Sequence, residues 1–378
     1  MSRLIYADNA ATTKLDLDAF EAMKPFLLEE YGNASQPYFF STKPKRALKE
    51  ARERIAECIG ALSEEIFFTS CGTESDNWAL KCFGVLGAAK RVLTSEIEHH
   101  AVLHASKGAI RLPVNSKGVV TPEVLEKALA ECNNSGNAFT TLVSVMLVNN
   151  EIGTIEPVKE LAEVAHAHGA LFHTDAVQAV GHIPIDVNEL NVDMLSASAH
   201  KFNAPKGIGF LYVRKGTQLQ SFMNGGAQES QRRAGTENVA SIVGMATALK
   251  KNCDEMQTTA KKLCAMESVF IDSLRKANVD FIRNGAEQRV PGNISISIRN
   301  ASGEMLLHRL DLKGISVSTG SACDSVDTQV SHVIQAIGVP QEYAMGTIRI
   351  SFGRDNKPED AEEVAQAIVD ILAEKNNR

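Results

Sequence analysis

Between residues 44 and 214 the sequence alternates short, continuously apolar runs with stretches of helical periodicity, and nothing else in it limits the fold so tightly. Leu48, Ala51, Ile55 and Ile59 recur at helical spacing, and Gly60 supplies a C-cap. Ile66-Phe67-Phe68-Thr69 then reads as a strand, with a helix following from Thr73. Residues 91–95, 142–149 and 170–174 are further apolar strands, and a helix opening at Pro157 and stopping at Gly169 joins the last two. Met194–Ser198 and Gly209–Val213 are expected to pair as neighbours. Strands that are apolar throughout must be covered on both faces. The expected class is therefore α/β, with a mostly parallel sheet.

Beyond residue 214 a long polar helix is expected over roughly 252–276, leading to a second unit. Strands at 294–298, 315–318 and 347–352 alternate there with helices opening near Ser302, around 330–337 and at Pro358, a βαβαβα-like tail. A chain of 378 residues accommodates two or three domains. The net charge of −7 argues against a nucleic-acid or anionic-membrane binder. No apolar run reaches the ~18 residues that span a bilayer, and Asp8 interrupts the N-terminus before any signal-peptide core can form. Seven cysteines without a C-x-x-C pair suit reduced thiols rather than a disulfide framework or zinc site. We therefore expect a cytoplasmic protein without a metal ion.

Three strings carry chemistry. In Thr69-Ser70-Cys71-Gly72-Thr73-Glu74-Ser75-Asp76-Asn77 a strand gives way to a helix whose first N–H groups form an anion cradle, although a plain N-cap reads equally well. In His173-Thr174-Asp175-Ala176-Val177-Gln178 a carboxylate ends a buried strand, where ligands collect in open α/β sheets; a helix cap is the alternative. In Ser196-Ala197-Ser198-Ala199-His200-Lys201 a lysine follows a histidine at another strand end, a string that also fits a solvated loop. Together they outweigh these separate alternatives. A helix start for a phosphate, an Asp for a pyridinium nitrogen and a Lys for a Schiff base form the layout expected for pyridoxal 5'-phosphate.

With these strings in place, the chain resembles the cysteine desulfurases of the nitrogen-fixation and iron–sulfur-cluster type, within the class V aminotransferase-like family. The likeness continues through Tyr6–Thr13, Glu98-His99-His100-Ala101-Val102, Val148–Gly153, Gly225–Asn238, Ser318–Cys323 and Arg349-Ile350-Ser351-Phe352, in order and over almost the whole length. It implies a pyridoxal-phosphate-dependent transferase fold. A large domain over 16–255 carries a mostly parallel seven-stranded sheet, and a smaller C-terminal α/β domain over 256–378 is completed by residues 1–15. The implied activity is conversion of L-cysteine to L-alanine, the sulfur passing to a cysteine as a persulfide for iron–sulfur cluster assembly or other sulfur transfer.

Position by position, the resemblance makes Lys201 the Schiff-base lysine and Asp175 the partner of the pyridine nitrogen. Gln178 and Asn150 contact the ring, and His99 stacks on its face and serves catalysis. Gly72, Thr73, Ser198 and His200 take the phosphate, with Thr236 lent by the neighbouring subunit of a homodimer. Arg349 and Asn9 bind the substrate. The sulfur-accepting residue is Cys323, whose surroundings, Ser318-Thr319-Gly320-Ser321-Ala322-Cys323-Asp324-Ser325, lack large apolar anchors and read as a mobile loop. Its implied partners are L-cysteine and a sulfur-acceptor protein, with no nucleic acid and no membrane. Tyr38 stands where relatives often have His, and Cys71 where they often have Gly. Cys71 is read as structural, and as a second nucleophile only if its loop turns inward. A selenocysteine lyase or another class V aminotransferase-like enzyme would share Lys201 and Asp175. A non-catalytic sulfur-carrier scaffold or regulator is a further reading, and the presence of both Lys201 and Cys323 argues against it.

Overall fold

The computed structural model describes residues 3–133, 139–319 and 330–376. Its strands are β1 (Ile5–Tyr6), β2 (Ile66–Thr69), β3 (Lys90–Ser95), β4 (Ile110–Leu112), β5 (Thr140–Ser144), β6 (Leu171–Asp175), β7 (Met194–Ser198), β8 (Gly209–Val213), β9 (Phe281–Arg283), β10 (Asn293–Ile298), β11 (Ile315–Ser316) and β12 (Thr347–Ser351). Seven form one sheet in the order β2-β8-β7-β6-β5-β3-β4, in which only β8 runs against its neighbours.

This sheet is covered on both faces, and its side chains sort by the two-residue period of a strand. Val143, Leu195, Phe210 and Tyr212 point into a large apolar cluster shared with the helices Thr42–Cys58, Val158–Ala167 and the first half of Val239–Lys276. Leu142, Met194, Leu211 and Val213 point the other way, onto Trp78, Leu80 and Val102. The expected mostly parallel α/β sheet is thus present.

The C-terminal region differs from its expected βαβαβα course. Strands β9, β10 and β12 make an antiparallel sheet in the order β12-β10-β9, while β11 leaves it to pair in parallel with β1. Hydropathy gives strand positions but not their partners, so the reading missed this. These strands enclose a second cluster, including Ile294, Ile296, Ile348, Ile350 and Phe270, covered by the helix Pro358–Asn376. The long helix begins at Val239, well before the expected start. Its first half, with Ile242, Met245, Ala246 and Leu249 buried, is apolar and hides its amphipathic period. Among the described residues no helix is long and apolar enough to cross a membrane.

Candidate functional site

All the strands of the main sheet except β8 run the same way, so their C-terminal ends share one edge. A cleft of about 370 Å³ opens outside the ends of β2, β6 and β7, where a doubly wound sheet collects its ligands. Strand β6 ends on Asp175, whose Oδ1 accepts the Val177 N–H at 2.9 Å. Strand β7 ends on Ser198 and turns through a short 3₁₀ segment, Ala199–Lys201, that carries Lys201 over the cleft. Lys201 Nζ donates to the carbonyls of Ala10 and Ala11, each at 2.8 Å. His182 Nε2 donates to the Lys201 carbonyl at 2.9 Å and fixes the backbone from behind.

The anion cradle lies on the helix Gly72–Cys82, whose N-cap, Cys71, makes no side-chain capping bond. The first-turn N–H groups of an α-helix have no intrahelical partner, and here Gly72 and Thr73 line the cleft. A Cβ on Gly72 would stand 2.6 Å from Val177 Cγ2 and 3.3 Å from Ser198 Cβ, so the backbone comes this close only because the residue is glycine. Cys71 lines the cleft as well.

The N-terminal strap, residues 8–13, closes one side. Tyr6 Oη holds it by donating to the Thr12 carbonyl at 2.8 Å, Thr12 Oγ1 meets His200 Nδ1 at 3.1 Å, and Gln178 Nε2 donates to the Ala10 carbonyl at 2.9 Å. On the facing wall Arg349, from β12, is only 6% exposed. Its guanidinium donates to Asp8 Oδ1 and to the Asn150 carbonyl, each at 2.8 Å, while its Nε has no hydrogen-bond partner among the described residues. The guanidinium is thus held through both terminal nitrogens at the cleft, where a planar fork suits a carboxylate.

Burial sets the electrostatics of the floor. It raises the Asp175 carboxyl to about 6, against the Val177 hydrogen bond and the Lys201 ammonium, which lower it. Below it lies Asp76, fully buried, pushed well above the usual carboxylate range by burial and then by Asp175; among the described residues its Oδ1 has no hydrogen-bond partner. That oxygen is 3.8 Å from His173 Nε2, and the two ring nitrogens of His173 meet Ser196 Oγ and Ser144 Oγ at 2.9 Å. Burial lowers His173 to about 3, so the ring is neutral. His99 is held down to about 4 by burial first and Lys201 second, and His200 to about 4 by the same two causes. His99 Nδ1 accepts the Ala101 N–H at 3.1 Å, which leaves the proton of the neutral ring on Nε2.

Of the residues expected from the sequence, Gly72, Thr73, His99, Asn150, Asp175, Gln178, Ser198, His200, Lys201 and Arg349 all line this one cleft. Asn9 does not; its side-chain amide donates to the Ser351 carbonyl at 2.9 Å and faces a smaller neighbouring cavity. Thr236 is exposed and away from the cleft. Cys323 lies outside the described residues, but Thr319 and Ser331, which flank that segment, both line the cleft. The reading missed Asp76 and the carbonyls of Ala10 and Ala11. Asp76 lies inside a string already singled out, but backbone acceptors leave no trace in side-chain identity.

Such a donor set fits a planar phosphorylated aldehyde, with amides for the phosphate, a buried carboxylate for a ring nitrogen and an amine for the carbonyl carbon. Comparison with known proteins points the same way. The family model for aminotransferase class-V matches residues 5–364. A cysteine desulfurase IscS of Dictyoglomus turgidum is 47% identical over 370 residues, covering 95% of this chain and 92% of that protein. Another cysteine desulfurase IscS, from Methanosarcina thermophila, is 42% identical over 385 residues, covering 100% of this chain and 94% of that one. A solved NifS-like protein superposes with a TM-score of 0.89 at 36% identity, covering 98% of this chain and 100% of its own. By sequence over nearly its whole length and by fold, the chain belongs to the aminotransferase class-V family, among its cysteine desulfurases.

Proposed function

We propose that this protein is a pyridoxal-phosphate-dependent cysteine desulfurase that takes L-cysteine to L-alanine and carries the sulfur on Cys323 as a persulfide. The observation that carries the reading is the convergence of Lys201, Asp175, the Gly72–Thr73 helix start and Arg349 on one cleft bordered by both flanks of the Cys323 segment. Bound there, the cofactor supplies an electron sink for the carbanion at the substrate Cα. Asp175 and Gln178 hold its ring, His99 covers one face, and Gly72, Thr73, Ser198 and His200 take its phosphate. Thr236 from the second subunit of a homodimer completes the phosphate site.

The other roles follow from the side chains. Arg349 grips the substrate α-carboxylate, with Asn9 supporting that wall from behind through Ser351. Lys201 removes and returns the proton at Cα. The Ala10 and Ala11 carbonyls point its amine inward and spread its positive charge. The Cys323 thiolate attacks the substrate Sγ, forming an S–S bond as the substrate Cβ–Sγ bond breaks. The released electron pair and the proton given up by the thiol end on Cβ as the third methyl hydrogen of alanine, so one cysteine and one thiol become one alanine and one persulfide without an external oxidant. At an ordinary thiol pKa only about a tenth or less of a cysteine is ionised at neutral pH, so the attack draws on a minor thiolate fraction.

Two separate apolar clusters support a division into a large unit over 16–255 and a small one over 256–378 completed by 1–15. A sulfur-acceptor protein and a cytoplasmic location accompany this reading. Mass spectrometry after incubation with L-cysteine tests it. One added sulfur is expected on the peptide containing residue 323, and Cys323→Ser should lose both that sulfur and alanine formation while keeping the pyridoxal absorbance. Undiminished alanine formation in the variant would refute the assignment of Cys323.

A further inference from the structure

His99 is assigned to the face of the cofactor ring, yet its bond to the Ala101 N–H is local and moves with its own backbone. That backbone lies in the short passage from β3 to the helix His100–Ala105. The carbonyls of Ile97 and Glu98 precede the N-cap, His99, and so stand outside the helical ladder. Both residues are fully buried, and a buried carbonyl needs a partner. Asn149 Nδ2 donates to the Ile97 carbonyl at 2.9 Å, and His332 Nε2 donates to the Glu98 carbonyl at 3.0 Å.

His332 comes from the C-terminal region, where it opens the helix His332–Ala336 beyond β11. Its ring also stacks on His100, with centroids 5.2 Å and planes 29° apart, and His100 stacks in turn on His104 at 5.0 Å. One side chain therefore touches the residues on both sides of His99, the carbonyl before it and the ring after it. His332 is itself well rooted. Ser331 Oγ donates to Glu151 Oε2 at 2.6 Å, and Val333, Ile334 and Ile337 share an apolar cluster with Ile97 and Ile152.

We propose that His332 is a positioning residue for His99, holding the passage 97–100 so that the His99 ring lies over the cofactor ring. The role of His99 rests on the desulfurase reading. The Glu98 carbonyl belongs to the peptide plane that ends on the His99 nitrogen, so turning that carbonyl changes the φ of His99 directly. The N–H donor carries the effect, because a hydrogen bond is directional whereas stacked rings tolerate offset.

Two substitutions separate donor from ring. His332→Phe keeps a flat ring against His100 and loses the N–H, while His332→Gln keeps a donor at similar reach and loses the ring. Visible circular dichroism of the protein loaded with pyridoxal phosphate, before any cysteine is added, reports how the cofactor ring is held. His332→Phe should lower that signal at least about twofold and raise the dissociation constant for pyridoxal phosphate about fivefold. It should also reduce kcat for alanine formation about tenfold, with KM for L-cysteine changed less than about twofold. His332→Gln should bring each value back to within about twofold of the unsubstituted protein. In a His99→Gln background, His332→Phe should change the dichroism no further, since the residue it acts through is gone. An unchanged dichroism in His332→Phe, or a further change in the His99→Gln background, would overturn the proposal. So would a tenfold loss of kcat in His332→Gln, whether or not His332→Phe folds. A protein that binds pyridoxal phosphate but makes no alanine from L-cysteine would refute the desulfurase reading, and the dichroism would still decide the role of His332.

Discussion

The floor and the wall of the cleft solve the problem of buried charge in opposite ways. On the floor, Asp175 ends β6, His173 sits two residues earlier in the same strand and Asp76 lies in the helix Gly72–Cys82, and burial drives each toward its uncharged form. On the wall, Arg349 is equally hidden but already bonded to Asp8 and Asn150. A floor held uncharged by burial is matched to a ligand that brings its own charge, whereas a paired wall is pre-organised to position one. The floor is built by the parallel sheet and the wall by the antiparallel one, so the two halves of the site rest on different frameworks.

Removing the floor's amine should do most. Lys201→Ala is expected to lower alanine formation by at least about 10³-fold and abolish the absorbance of a lysine-bound pyridoxal, read by turnover and spectrum. Breaking the wall should cost less and show differently. Arg349→Lys keeps the charge but loses the bidentate fork, so KM for cysteine should rise about 10- to 100-fold with kcat and the pyridoxal spectrum little changed.

Acid should separate the two regions again. His173 has its pKa depressed in the folded state, from 6.5 to about 3, so the folded protein binds fewer protons than the unfolded chain between those values. Its stabilisation is present above pH 6.5 and is lost as the pH falls through that window. By about pH 4.5 the loss from this residue is about 3 kcal/mol. His99 and His200 act in the same direction. Glu98 and Asp175, raised to about 8 and about 6, oppose them by losing stability as the pH rises. Urea unfolding at pH 6.5 and 4.5 measures the balance, and His173→Gln should flatten the acid limb. Asp76→Asn should do least. A carboxyl already held in its neutral form is replaced by a neutral isostere, so turnover should change by less than about threefold and stability by under ~1 kcal/mol. A large loss there would show that Asp76 works as an anion.

Much of this contrast was legible in the residues. The floor announced itself because lysine and aspartate at the ends of apolar runs are out of place unless something there needs them. Arg349 came only through the family likeness, since a single arginine in an apolar strand says nothing by itself. The short strands β4 and β9 escaped notice because Ile110-Arg111-Leu112 and Phe281-Ile282-Arg283 are too brief to show a period. That residues 1–15 join the C-terminal unit was expected only through the family likeness, since pairing across the length of a chain is decided by tertiary packing rather than by local pattern.

That N-terminal strap has a consequence for how the protein is made. Asp8 and Arg349 are separated by 341 positions, and β1 pairs with residues 315 and 316. During synthesis residues 5 and 6 have no strand to join until residues 315 and 316 have emerged. The main sheet can form early, but Arg349 meets Asp8 only after residue 349 has emerged, so a product cut short before β12 would have every strand of the main sheet and still lack the arginine proposed to grip the substrate.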